Sequence, residues 1–515
     1  MALVDQAERD AASASPVFAE EPAESSAGLV AAFAVPGFLG SSLAAAGAVS
    51  VGWIARSSGL ASAPVVEQLR TIPAFSLFGK MLVVLGIGLL LQAWLQLGLH
   101  VRQHRVDHPA GLGKLVWWWS APLVVAPVLF SRDVFSYVAL SRLLPNGIDP
   151  YLYGTGTFAT YYTDGADSLW RTSPAPYGPV WMGLSNVVYG TTHAEANLAL
   201  LAFRLLALAG IALLVVFVPR LAEACGVDAA KAVWLGVLNP LVLMHFVSAA
   251  HNDALMVGLL VAGVALALER RFLLGLLMVT LAGAVKAPAL LALPFVALAW
   301  AGVGASWARR IGGWVVAGAV ALSTFGVLNV LLGLNFGWVS ALQTPAAVRT
   351  PLSPMTALGM LTGKLGQYLG LGYHVDGTVA VFRLVGEVLT VAVIGWLVLT
   401  SDRRPIARGL GLALLAVVVL GPVLQPWYLL WGFTILAAAG LSGGKTRAAV
   451  LLTIGFVIYS LVNTGATVDS YGDLSDGLAA LLSLAVVLAT LASSKRVRTL
   501  LLADRRGAEP ELIQL

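Results

Sequence analysis

A single cysteine, Cys225, occurs among 515 residues, so the chain can form no intrachain disulfide and no cysteine-built metal site. It has no HExxH, no CxxC and no glycine fingerprint of a nucleotide-binding loop, which leaves those chemistries without their usual residues. No repeat of fixed period is present. Charge is scarce as well: 11% of residues are Asp, Glu, Lys or Arg, against about 25% in soluble domains. With 58% hydrophobic residues and a mean hydropathy of +0.86, the composition excludes an ordinary soluble protein. An excess of +5 charges would suit nucleic acid, but in a membrane protein Lys and Arg are first sorted by side, and that sorting accounts for the excess. No nucleic-acid partner is expected.

What is present is a succession of apolar runs, each near the roughly 20 residues that cross a bilayer as a helix. The expected fold is an all-α polytopic membrane protein, with spans near 28-54, 81-100, 115-131, 195-218, 232-249, 252-269, 272-285, 287-303, 311-333, 379-400, 409-421, 427-441, 446-463 and 474-493. Segment 272-303 could be a broken pair and 178-193 a re-entrant or interfacial helix. Residues 1-27, rich in Ala, Ser and Glu with Arg9 as their one arginine, lack the basic start of a signal peptide and are expected to be a disordered cytoplasmic tail. The integral unit is 28-495, followed by a second cytoplasmic tail, 496-515. Nineteen Lys and Arg then fall on one side and ten on the other, although the second side has the longest loops, 132-194 and 334-378. The positive-inside rule puts both termini in the cytoplasm and those loops outside.

The unusual residues gather on that outer face. In "FSRDVFSYVAL" (130-140) a short interfacial helix would carry Asp133 and Tyr137 on one face, four residues apart. A lone acid there is often a helix cap or a partner for Arg132. Downstream come Asp149, Tyr151, Tyr153, Tyr161, Tyr162, Trp170 and "SPAPYGPVW" (173-181), which includes Tyr177. Rings of this kind cover the apolar faces of sugars, though they also form headgroup belts. "SAAHNDALMVGLL" (248-260) turns two spans with His251, Asn252 and Asp253, where Asp253 could simply cap the following helix. Lys286 interrupts a long apolar stretch, a costly placement that marks a functional candidate unless the side chain snorkels. Arg383 would suit a phosphate but has Glu387 four residues away, and Arg204 lies inside a span with no evident partner. "GPVLQPWYLLWG" (421-432) sets Gln425, Trp427 and Tyr428 around Pro426, which must open or break a helix and free backbone carbonyls.

Taken in order, "SRDVFSY", "DPY", "SPAPYGPVW", "HNDALMVGLL", the lysine of "VKAPALLALP" and "QPWYLLW" resemble the actinobacterial polyprenol-phosphate-mannose-dependent α-1,6-mannosyltransferases over about residues 30-495. These are GT-C enzymes that build the mannan core of lipomannan and lipoarabinomannan. The resemblance implies a GT-C bundle of about 13-14 helices in the plasma membrane, with interfacial helices in its long periplasmic loop. It further implies a polyprenyl (decaprenyl-type) phosphomannose donor and a lipid-linked mannoside acceptor. The family's catalytic acid in the first large outer loop maps onto Asp133, which stands alone here where many GT-C enzymes have a paired acid, and two extra spans precede the usual arrangement. No metal and no cofactor is expected. A β-linked donor giving an α-linked product inverts the sugar, which needs one base for the attacking 6-hydroxyl and positive charge for the leaving phosphate. Asp133 is the expected base. Arg132, Lys286 and Arg383 are expected at the donor phosphate, with Tyr137, Tyr177, His251, Asn252, Asp253, Gln425, Trp427 and Tyr428 shaping the substrate cavity. A polyprenyl-lipid flippase or transporter is the rival, since intramembrane cations and broken helices also mark transport paths. It would place charges at mid-depth and show an internal repeat.

Overall fold

The computed structural model describes residues 24-161 and 164-465, together with 481, 484-489 and 491-493. Residues 1-23 of the expected first tail, all of the expected second tail (496-515), Tyr162 and half of the last expected span (474-493) lie outside the described residues. The chain is an all-α, multi-pass membrane protein; among the described residues it has two isolated β-bridges and no strand.

Apart from two short helices, Pro64–Thr71 and Trp338–Ala341, the helices follow the apolar runs. They are α1 (Ser26–Val51), α2 (Pro73–Gln103), α3 (Lys114–Val125), α4 (Asp133–Leu140), α5 (Pro179–Thr192), α6 (Ala196–Ala224), α7 (Ala229–Gly236), α8 (Asp253–Leu268), α9 (Phe272–Val285), α10 (Ala292–Ala301), α11 (Trp307–Leu332), α12 (Pro354–Tyr368), α13 (Val375–Leu399), α14 (Ile406–Leu420), α15 (Leu429–Ala439) and α16 (Gly444–Gly465). Among the described residues, six of these are each long and apolar enough to cross a membrane: α1, α2, α6, α11, α13 and α16. The remaining apolar segments are shorter and interrupted, and the interruptions lead to the site.

Three breaks matter. A π-helical turn, Val242–Ser248, meets α8 at 115° across residues 249-252, so two half-helices fill one expected pair of spans. Ala250 at φ 54 makes the bend, a left-handed conformation that costs a non-glycine residue about 1–2 kcal/mol and concentrates at functional sites. Between α9 and α10, Lys286 is extended, and Pro288 starts a single 3-10 turn, Ala287–Leu291. Between α14 and α15, Gln425 is extended and Pro426 opens the turn Pro426–Tyr428. In both places a proline sits at the start of the new turn, where no N–H is needed.

The long loop 132-194 is folded. Arg142 donates to Asp164 at 3.0 and 3.1 Å and to the Ala194 carbonyl at 3.2 Å, drawing both ends of the loop together. The helix expected to lie at the membrane interface is enclosed by protein instead: Val134 through Leu140 are all buried. Tyr137, Trp181 and Phe203 pack ring on ring, 5.0 to 5.8 Å apart, so these rings belong to the core and not to a headgroup belt. Likewise His251, Asn252 and Asp253, expected at a surface turn, are at most 1% exposed.

Helices α6 and α8 touch backbone to backbone. A Cβ built on Gly210 would lie 2.2 Å from the Ala254 carbonyl oxygen, and one on Gly258 would lie 2.4 Å from the Gly210 carbonyl oxygen. Small residues permit this approach in membrane helices. Gly210→Ala should therefore push away the start of α8, which carries Asp253, and destabilise the fold by about 1–3 kcal/mol. A lowered unfolding midpoint in detergent checks this; an unchanged midpoint would mean the helices can separate freely.

Candidate active site

The breaks converge on one cavity of about 630 Å³, within the range of small-molecule sites. Seven of the twelve residues singled out from the sequence line it: Arg132, Asp133, Tyr177, Lys286, Gln425, Trp427 and Tyr428. The other five, Tyr137, His251, Asn252, Asp253 and Arg383, do not.

Asp133 begins α4, where a carboxylate is favoured by the helix dipole. Its side chain is about a quarter exposed and lines the cavity. Burial pushes its pKa up to about 6, Lys286 pulls it back down, Asp167 and Asp253 add to the rise, and a hydrogen bond from Trp170 opposes it. Such a carboxylate is ionised at neutral pH yet more basic than an ordinary one. The preceding Phe130, at φ 70, turns the chain out of α3 and into the cavity wall. The bridge between Trp53 and Val128 holds that segment in place, with N–H···O distances of 2.7 and 3.1 Å.

Lys286 supplies the opposing charge. Its Nζ donates to both Asp253 oxygens, at 2.9 and 2.8 Å, and sits 4.9 Å from the centroid of the Tyr428 ring. Asp253 also accepts from Trp431 Nε1 at 2.6 Å. Thus Asp253 is the anchor of a buried lysine, reached across 33 residues, and not merely a helix cap. An ammonium has three N–H donors, so two to Asp253 leave one for a ligand. Arg132 does not pair with its neighbour Asp133. It donates to Asp167 at 2.9 and 2.5 Å and lies over the Trp53 ring at 4.8 Å.

Behind Asp133, His251 Nδ1 is 3.6 Å from Asp133 Oδ2, just beyond a hydrogen bond. The imidazole is fully buried and stacked on Trp427 at 3.9 Å, so Trp427 separates it from the cavity. Tyr137 donates to Asn252 Oδ1 at 3.3 Å beneath the same floor. Arg383 is engaged elsewhere: its guanidinium donates to Thr356 Oγ1 at 3.0 Å and to the Val348 carbonyl at 2.9 Å. It meets the cavity wall through Val348, which lines it. Arg204 donates to the Val124 and Ser248 carbonyls at 2.7 and 3.1 Å, which ties α6 to the bend before His251. Among the described residues, no third His, Cys, Asp or Glu joins Asp133 and His251 in a metal-binding group.

Sequence reasoning missed Trp53, Asp167, His245, Tyr459 and Ser460 in the wall. His245 could have been found, because an imidazole inside an apolar span is costly without a role; here it meets Ser460 Oγ at 3.0 Å. Asp167 carries no local signal, since its partner is 35 residues away. The arrangement offers a carboxylate base, two cations and a set of rings around one small-molecule space.

Comparison with known proteins points to one family. Residues 34–302 match the model described as "Alpha-(1->6)-mannopyranosyltransferase, N-terminal domain", and residues 355–493 match "MptB C-terminal domain". The chain is 33% identical over 420 residues to a probable alpha-(1->6)-mannopyranosyltransferase of Mycolicibacterium smegmatis, covering 72% of each chain. It is 32% identical over 438 residues to alpha-(1->6)-mannopyranosyltransferase A of Mycobacterium tuberculosis, covering 83% of each. Against alpha-(1->6)-mannopyranosyltransferase B of Corynebacterium glutamicum the identity is 28% over 391 residues, 70% of this chain and 65% of that one. No solved structure matches. The chain belongs to the alpha-(1->6)-mannopyranosyltransferase family, a family of membrane glycosyltransferases.

Proposed function

We propose that the protein transfers mannose from a polyprenyl phosphomannose to the 6-hydroxyl of a lipid-linked α-1,6-mannoside, with inversion, at the outer face of the plasma membrane. The observation that carries this reading is that Asp133 and Lys286 line one ring-walled cavity. In the reaction, the acceptor 6-oxygen bonds to the anomeric carbon as the bond from that carbon to the phosphate oxygen breaks. Asp133 takes the hydroxyl proton. The phosphate leaves with the electron pair, and the free N–H of Lys286 and the guanidinium of Arg132 meet its charge.

The remaining residues take supporting roles. Asp253 holds Lys286 in place, and His251 packs behind Asp133. Tyr177, Gln425, Trp427 and Tyr428 line the sugar space. Arg383 acts through the loop it holds by Val348. The excess of Lys and Arg on the opposite face supports a periplasmic cavity and cytoplasmic termini.

Proteoliposomes given polyprenyl phosphomannose and a short α-1,6-mannoside should elongate the acceptor. Donor crossing between leaflets without sugar transfer would favour a flippase instead. The pH profile is more specific. A base with its pKa raised to about 6 works only when ionised, so kcat/KM should fall as pH drops through about 6, well above the 3.8 of an unperturbed aspartate. Because Lys286 holds that pKa down, Lys286→Met should move the acid limb to higher pH. An acid limb near pH 4 would show that a solvated carboxylate is the base.

A further inference from the structure

The cluster Glu24, His100 and His104 lies at the far end of the molecule from the cavity. Helix α1 runs from Ser26, beside this cluster, to Val51, next to the cavity residue Trp53, a rise of roughly 35–40 Å. His100 stands in the last turn of α2, and His104 is the residue that caps it, four positions on. Histidines at this spacing share a helix face. Glu24 is brought to them by a backbone bridge to Val106: its N–H donates to the Arg105 carbonyl at 2.7 Å, and its carbonyl accepts from Asp107 at 3.0 Å. Asp107 in turn accepts from the Ser26 N–H at 2.6 Å, fixing the start of α1.

We propose that these three side chains bind a divalent transition cation, Zn(II) by ligand type, which clamps the chain entering α1 onto the end of α2. Two imidazoles and one carboxylate are a recurring zinc ligand set, with water in the fourth position. Bonds of about 2.0–2.1 Å in a tetrahedron place ligand atoms about 3.3 Å apart. His100 Nδ1 and Glu24 Oε2 are 3.2 Å apart, and one ligand atom from each of the three residues lies within 4.8 Å of the others. The edge of Phe33 meets the His100 ring at 5.7 Å and steadies it. Side chains of His100 and Glu24 are about 30% exposed, so a cation can enter from solvent. On binding, it takes the place of the His100 Nδ1···Glu24 contact, and any proton between them passes to solvent. The distance from the cavity makes the site a structural clamp and not a part of the transfer chemistry.

The test uses the full chain, purified with a histidine-free tag, stripped of metal and titrated with Co(II). One equivalent should produce a visible ligand-field absorption that Zn(II) competes away, and Zn(II) should protect the segment before Ser26 from protease. Glu24→Gln and His104→Ala should each weaken binding about tenfold or more and abolish the protection. Both replace partly or fully exposed side chains, so their unfolding midpoints in chelator should match the wild type, as should their mannosyl transfer. Absence of saturable binding, or binding unchanged in both variants, overturns the proposal.

Discussion

Asp133→Asn should lower mannosyl transfer by about 10²–10⁴-fold, the usual contribution of a positioned general base. The amide keeps the size and the start of α4 but cannot accept the 6-hydroxyl proton. Donor affinity should change little, because the proposed reaction assigns the phosphate to Lys286 and Arg132. The measurement is a single-turnover transfer assay with folded variant, paired with direct donor binding. Loss of both activities together would point to a structural role, and retention of transfer would place the base elsewhere, with Asp253 the first group to examine. Asp253 is a weak alternative on geometry, since both of its oxygens are already occupied by Lys286 and one of them also by Trp431.

The second large effect concerns that pair. Asp253 is fully buried and Lys286 is only 13% exposed. Removing one partner leaves a charge unmatched in a low-dielectric interior, which costs about 3–5 kcal/mol. Asp253→Ala should thus lower the unfolding free energy by about that amount and release Lys286 from the cavity wall, reducing transfer as well. Adding Lys286→Met to the same chain removes the stranded charge, so the double variant should recover much of the stability while remaining a poor enzyme. Denaturation in detergent, read alongside transfer rates, checks both. Full stability of Asp253→Ala would mean that Lys286 reaches water or lipid headgroups by itself.

Much of this site was legible in the chain because ionisable groups within apolar runs are expensive and stand out. Asp133 and Lys286 were found in that way and the Gln425 to Tyr428 segment through the helix-breaking Pro426, and all line the cavity. Arg383 gave the same signal, yet its guanidinium is engaged with Thr356 and Val348, partners that hydropathy does not reveal. His251 and Asp253 were visible as residues, but their expected place at an exposed turn was wrong. The 115° bend that folds them inward depends on a left-handed Ala250 and a π-helical turn, and composition encodes neither. The positions of the apolar runs were clear for a related reason: burial in lipid requires them. Whether a run is one straight helix or two half-helices is set by the breaks around Lys286 and Gln425, where proline gives only a partial cue.

The most direct measurement is a structure of Asp133→Asn, which should bind both substrates without turning over, holding polyprenyl phosphomannose and a short α-1,6-mannoside. The donor phosphate should lie within hydrogen-bond reach of Lys286, with the acceptor 6-hydroxyl about 2.6–3.2 Å from the side-chain oxygen at position 133. An acceptor hydroxyl seated beyond reach of that position, or a donor bound outside the cavity, would contradict the account.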